Sequence, residues 1–191
     1  RRRLIAALLK LGFDGVEETA VGANEVTHQY RLLMDKGEMS CILTTCCPTV
    51  NALITKYYPE LVPFMAPVVS PVLAHGRMIK ERMGADTRVV FVGPCLSKIR
   101  EIHEHPESAD AAISFRRLDR MLVDQGIRLE DMDEEDVPVS PYSRVYPIPE
   151  GILRDVAHQQ EGESCRIQSE HGYKGYTFMS VCGVQNVMQL L

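Results

Sequence analysis

The chain has 191 residues, 45% of them hydrophobic and 25% charged, with a formal net charge of -5. That is enough apolar material for a sizeable core in one domain or two small lobes, and the acidic balance excludes nucleic-acid binding by a basic patch. No apolar run approaches the ~18 residues that span a bilayer, and no signal-peptide pattern opens the chain.

Arg1, Arg2 and Arg3 form the one basic cluster and lead directly into a helix over 3–13, whose Leu, Ile and Ala spacing is helical and whose Gly12 is a stop signal. The chain starts without Met, so it is expected to be a fragment of something longer. Residues 14–20 read as a short strand and 22–37 as a second helix closed by glycine. Residues 40–45, "SCILTT", form a β-prone apolar run ahead of a helix over 48–58, with Pro48 at its start where a missing N–H costs nothing. The stretch 70–84 repeats the helix pattern, from Ser70-Pro71 to Gly84. "TRVVFVGPC" (87–95) is the strongest strand, a continuous β-branched run suited to coverage on both faces. A strand and a helix follow over 110–126. Residues 129–151 are acidic and then proline-rich, a surface excursion. A short helix comes next, then a strand at 176–183 and a final helix over 184–191. Strands alternating with helices give an α/β fold with parallel sheets flanked by helices.

Six cysteines are scattered at 41, 46, 47, 95, 165 and 182. Without an export signal they point to metal or redox chemistry in a cytoplasmic protein, not to a disulfide framework. Taken singly, Cys41, Cys165 and Cys182 are expected to be buried core residues. Cys46-Cys47 and Cys95 each lie at a strand-to-helix junction, and in parallel sheets functional groups gather beyond the carboxyl ends of strands. Thiolates suit an iron–sulfur cluster, and helix N-termini favour their charge. Side chains of adjacent residues diverge, so Cys46 and Cys47 are expected to divide the labour between one ligand and one free thiol; a vicinal disulfide would be strained. After Cys95, Lys98 and Glu101 follow at three-residue steps on one helix face. They are open to two readings: an anion-binding and proton-relaying edge, or a cap followed by a solvated charged face. His28, His75, His103 and His105 have no metal-site spacing and are expected to be structural or solvated.

"TTCCPTVNALITKYYPEL" and "GPCLSKIRE" resemble the first two signature motifs of the hydrogen-cluster domain of iron-only (di-iron, FeFe) hydrogenases, in generic form T-S-C-C-P and P-C-x-x-K-x-x-E. "LGFDGV", "VGA", "SP", "DAAISFRRLDRML" and "CGVQNVMQLL" extend the resemblance along the chain. The resemblance implies that Cys47 and Cys95 are ligands of a 4Fe-4S cluster, that Cys46 is the free thiol passing protons to a di-iron subcluster, that Lys98 holds a cyanide ligand of that subcluster, and that Glu101 belongs to the proton route. It also implies reaction with dihydrogen and a ferredoxin-like electron donor or acceptor, or fused ferredoxin and sensor domains. The family's third motif, roughly E-x-x-x-C-x-x-x-C, is absent and is expected beyond Leu191, with Cys182 a non-ligand; the family's upstream segment is likewise missing before Arg1. Two thiolates cannot hold a cubane stably, so this stretch alone is expected to be inactive and without iron. Gly93 stands where the catalytic pattern usually has methionine, and Gln29 and Tyr30 where catalytic members carry acidic residues. These departures, with "VVSPVLAHGRMIK" beside "VVFVGPC", resemble the sensory or atypical branch. The competing readings are an iron–sulfur carrier or assembly protein, or a structural domain, on the same fold.

Overall fold

The computed structural model describes residues 2–134, 143–148, 150–158, 173, 175–181 and 183–190. In chain order its elements are α1 (Arg2–Lys10), α2 (Ala20–Lys36), α3 (Pro48–Tyr57), α4 (Pro71–Met83), β1 (Val90–Val92), α5 (Leu96–Glu104), β2 (Ala111–Ile113), α6 (Phe115–Asp124), α7 (Gly151–His158) and α8 (Val184–Leu190). A 3-10 segment, Pro59–Phe64, follows α3. Among the described residues no helix is long and apolar enough to cross a membrane.

β1 and β2 pair in parallel, with Val90 opposite Ala111, Phe91 opposite Ala112 and Val92 opposite Ile113. Because strand side chains alternate, Phe91 and Ala112 face one way and pack on Val72, Leu73 and Ile102 of α4 and α5. Val92 and Ile113 face the other way, onto Ala7, Leu8, Leu118 and Leu122 of α1 and α6. The β-branched run is therefore covered on both faces, as its sequence predicts. A third cluster centres on α2, where Val26, Tyr30 and Met34 meet Ala66, Ala74 and Val156. α2 crosses α4 at Gly22, where a Cβ would lie 2.2 Å from the Pro71 carbonyl oxygen and 2.6 Å from His75 Cβ. Only glycine allows so close a backbone approach.

The strands are shorter than the sequence predicts. Residues 14–19 form no strand, and α2 begins at Ala20. Within 40–45 pairing is confined to a parallel bridge between Leu43 and Met65, made by the Leu43 N–H to Phe64 O (2.8 Å) and the Ala66 N–H to Leu43 O (2.9 Å). The chain turns into α3 before a ladder can form. Residues 177–181 carry no ladder; a bridge joins Tyr173 to Tyr176 just ahead of them. Cys41 is exposed, not buried, because the run before the bridge lies at the surface. Cys165, Cys182 and, within the acidic and proline-rich stretch, residues 135–142 and 149 lie outside the described residues.

Candidate functional site

Cys47 and Cys95 are the N-caps of α3 and α5. Both have extended backbones, with φ and ψ of -105° and 106° at Cys47 and -88° and 115° at Cys95, and neither side chain caps its helix. Proline at the first position of α3 holds its start. Both thiols are exposed, so each stands at the positive end of a helix dipole with its sulfur uncommitted.

The two helix starts are joined. Thr49 Oγ1 and Ser97 Oγ, each two residues past its cysteine, hydrogen-bond at 2.6 Å. From α5, Lys98 Nζ donates to the Cys46 carbonyl at 3.0 Å and to Glu101 Oε2 at 2.7 Å. The lysine and glutamate side chains are only 12% and 9% exposed, which rules out the solvated-face reading of this pair. The i, i+3 spacing predicts their meeting; their burial and the reach to Cys46 come from the docking of α5 on α3.

Three further elements hold the junction before Cys46. Tyr30 of α2 accepts the Thr45 N–H at 2.9 Å. The Thr45 hydroxyl is shared between Val68 O at 2.6 Å and Ala66 O at 3.1 Å, which ties the junction to the segment entering α4. Asn51 Nδ2 of α3 donates to Thr45 O at 2.8 Å. Asn51 Oδ1 is buried with no hydrogen-bond partner among the described residues. Ser70, fully buried, donates its hydroxyl to Glu101 Oε2 at 2.9 Å. The sequence marks Ser70 as a helix start and as part of the family resemblance, and Thr45, Asn51 and Ser97 lie within the two resembling motifs, but no role for any of the four follows from it.

Burial pushes the half-buried Cys46 thiol up to about 11, against the downward pull of the Lys98 ammonium; this thiol holds its proton at neutral pH. Burial, and then the neighbouring Cys46, push the Tyr30 phenol up to about 12. Behind them, Thr27 donates to Asp155 Oδ2 at 2.6 Å and lies 2.9 Å from the Tyr146 hydroxyl. Gln29 instead pairs with Glu25 at 2.7 Å. His75 is buried against Glu17 at 3.0 Å, a packing role.

Residues 46, 47, 95, 98 and 101 thus belong to one set of joined elements, α3, α5 and the junction before α3. Among the described residues, no three His, Cys, Asp or Glu side chains come together as metal ligands. The donor set present is a pair of outward-facing thiols beside a protonated thiol and a buried Lys–Glu pair. By chemistry it fits half of a four-thiolate iron–sulfur site. Gly93, buried just before this set, is closely covered: a Cβ there would lie 2.5 Å from Phe91 Cζ, so the ring must move to admit one.

Comparison with known proteins bears on the family and the fold. A family described as "Iron only hydrogenase large subunit, C-terminal domain" matches residues 1–191. The periplasmic [Fe] hydrogenase large subunit of Nitratidesulfovibrio vulgaris is 31% identical over 144 residues, which cover 65% of this chain and 34% of that one. Iron hydrogenase 1 of Clostridium pasteurianum is 28% identical over 205 residues, covering 91% of this chain and 35% of that one. The chain therefore spans about a third of the length of the curated relatives it matches. Among solved structures, an apo [FeFe]-hydrogenase HydA1 variant from Chlamydomonas reinhardtii superposes with a TM-score of 0.57 at 25% identity, covering 72% of this chain and 40% of that one. A structure described as revealing stepwise [FeFe]-hydrogenase H-cluster assembly gives the same TM-score and identity, covering 72% and 39%.

Proposed function

The chain belongs to the family of C-terminal domains found in the large subunits of iron-only hydrogenases, and on that premise we propose that it forms the ligand-bearing half of a site that senses or interconverts dihydrogen, protons and electrons in a longer parent protein. Cys47 and Cys95 would each hold an iron of a 4Fe-4S cluster, with the remaining ligands supplied from elsewhere in the parent. The observation that carries this reading is the Thr49–Ser97 hydrogen bond, which joins equivalent positions of two helices whose capping thiols are both uncommitted. The 4Fe-4S cluster and its di-iron subcluster, when bound, supply the redox chemistry.

This chain's own residues bind, orient and move protons. The helix N-termini favour the charge of the Cys47 and Cys95 thiolates. Cys46, held protonated by burial, carries a proton at its sulfur toward the reacting centre. Lys98, fixed by the Cys46 carbonyl and Glu101, keeps a further N–H for an anionic ligand such as metal-bound cyanide, and Glu101 holds that lysine in place and is a member of the proton route.

The sensory reading draws support from Tyr30. A phenol pushed to about 12, with its oxygen accepting the Thr45 amide, passes protons slowly at neutral pH compared with a carboxylate. That suits a sensor better than a high-turnover catalyst. We assign the parent to the cytoplasm on its cysteine usage, with a ferredoxin-like donor or acceptor, separate or fused, as electron partner. This stretch by itself, with two thiolates for a cubane, is inactive.

The test is iron and sulfide content of the intact parent after anaerobic reconstitution. Cys47→Ser and Cys95→Ser should each lose the cluster, while Cys46→Ser should retain it. Loss of iron on Cys46→Ser with full retention on Cys47→Ser would reverse the assignment.

A further inference from the structure

A serine that opens a helix normally turns its hydroxyl to the N–H groups of the first turn. Ser70 opens α4 with an extended backbone, and its carbonyl accepts the Ala74 N–H at 2.9 Å, yet its side chain makes no cap. The hydroxyl goes instead to Glu101 Oε2 at 2.9 Å. Ser70 is 2% exposed and Glu101 7%, so both groups are largely withdrawn from bulk water. The same carboxylate oxygen accepts Lys98 Nζ at 2.7 Å, and Lys98 also donates to Cys46 O at 3.0 Å. One oxygen therefore receives a hydroxyl from α4 and an ammonium from α5. Of the three hydrogens on an ammonium, two are committed and one is left.

We propose that Ser70 is a positioning residue for the ligand-facing Lys98, acting through Glu101; this rests on the reading of Lys98 given above. Lys and Glu are long, rotamer-rich side chains, and a pair of them on one helix can shift together toward solvent. A second anchor on a different helix prevents that. Ser70 pins the Glu101 carboxylate from the α4 side, and the carboxylate in turn holds the ammonium beneath the Cys46 carbonyl. The remaining Lys98 hydrogen then keeps a fixed direction. α4 gives up a side-chain cap at its first turn, and Pro71, which fixes the backbone there, lessens the need for one.

If Ser70 served only to satisfy a buried carboxylate, its removal would lower stability and leave the lysine unchanged. The separating measurement is hydrogen exchange of the Lys98 ammonium, followed by nitrogen-15 NMR in the purified protein without metal. The wild type should show a protected ammonium resonance. Ser70→Ala should speed its exchange about ten- to a hundredfold, the worth of a hydrogen bond to a charged group. Ser70→Thr, which keeps the hydroxyl, should restore protection. In a Glu101→Gln background, where protection is already lost, Ser70→Ala should add nothing. Should the alanine variant not fold, Ser70→Cys, a weaker donor of similar size, provides the same comparison. Unchanged Lys98 exchange in a folded Ser70 variant, or an equal added effect with and without Glu101, would overturn the proposal. The readout needs no iron, so failure of the cofactor assignment would not imitate failure here.

Discussion

Replacing Gly93 by alanine tests how tightly the end of β1 is packed just before the Cys95 junction. The new Cβ would lie 2.5 Å from Phe91 Cζ and 2.7 Å from its Cε1, whereas non-bonded carbons prefer about 3.5–4.0 Å. The ring must therefore shift by about 1 Å, and it is packed on Val72, Leu73, Ile102 and Ala109. Overpacking of this kind costs about 1–3 kcal/mol. Gly93 is not in the left-handed region, so alanine also recovers about 0.4–1 kcal/mol through the unfolded chain. The net expectation runs from near neutral to a loss of about 2.5 kcal/mol, seen in urea unfolding as a lower midpoint with an unchanged slope. In a Phe91→Leu background the obstructing ring atoms are gone, and Gly93→Ala should become neutral or mildly stabilising. The resulting coupling between the two sites should be at least about 1 kcal/mol. Strict additivity of the two changes, with no coupling between Gly93 and Phe91, would refute the packing argument.

Three other outcomes follow from the same contacts. Tyr30→Phe removes the acceptor of the buried Thr45 N–H and should cost about 1–3 kcal/mol, read by denaturant unfolding. The Asp110 carboxyl is held down to about 2, first by the Val89 amide and then by Arg88 and Lys80. Its folded value lies below its ordinary one, so it adds stability above about pH 4 that is lost as pH falls through 2. After discounting for solvent screening the term is about 1 kcal/mol, and Asp110→Asn should flatten that part of the acid limb. Cys46 has the opposite sign: its thiol is raised to about 11, so its contribution is complete below pH 9 and is lost as pH rises through 11. Timed alkylation at pH 8 with mass-spectrometric mapping should modify Cys41, Cys47 and Cys95, all exposed, before Cys46.

Local signals in the sequence locate the helices well. Pro48 and Pro71 mark the starts of α3 and α4, and Gly37 and Gly84 follow the ends of α2 and α4. The places of Cys47 and Cys95 at helix starts follow from the junction signals, and the Lys98–Glu101 contact follows from the i, i+3 step. What was not legible depends on partners distant in sequence. The 40–45 run has the composition of a strand, but pairing needs a neighbour, and residues 64–66 offer only a brief one. Residue type alone places Cys41 in the core, while its exposure reflects where that run enters the fold. Ser70 read as an ordinary helix start because its true partner, Glu101, is 31 residues away. Tyr30 was visible as a departure from acidic residues; that its oxygen anchors the Thr45 amide emerges only when α2 packs beside the junction.

The central claim is that Cys47 and Cys95 hold part of a dihydrogen-handling iron site in the parent protein. Its most direct test is an infrared spectrum of the intact parent, prepared anaerobically with di-iron maturation machinery present. The account predicts bands from metal-bound carbon monoxide and cyanide, which disappear in Cys47→Ser and Cys95→Ser. Iron and sulfide without those bands would contradict the dihydrogen reading in favour of an iron–sulfur carrier, and a parent that takes up no iron would contradict the claim altogether.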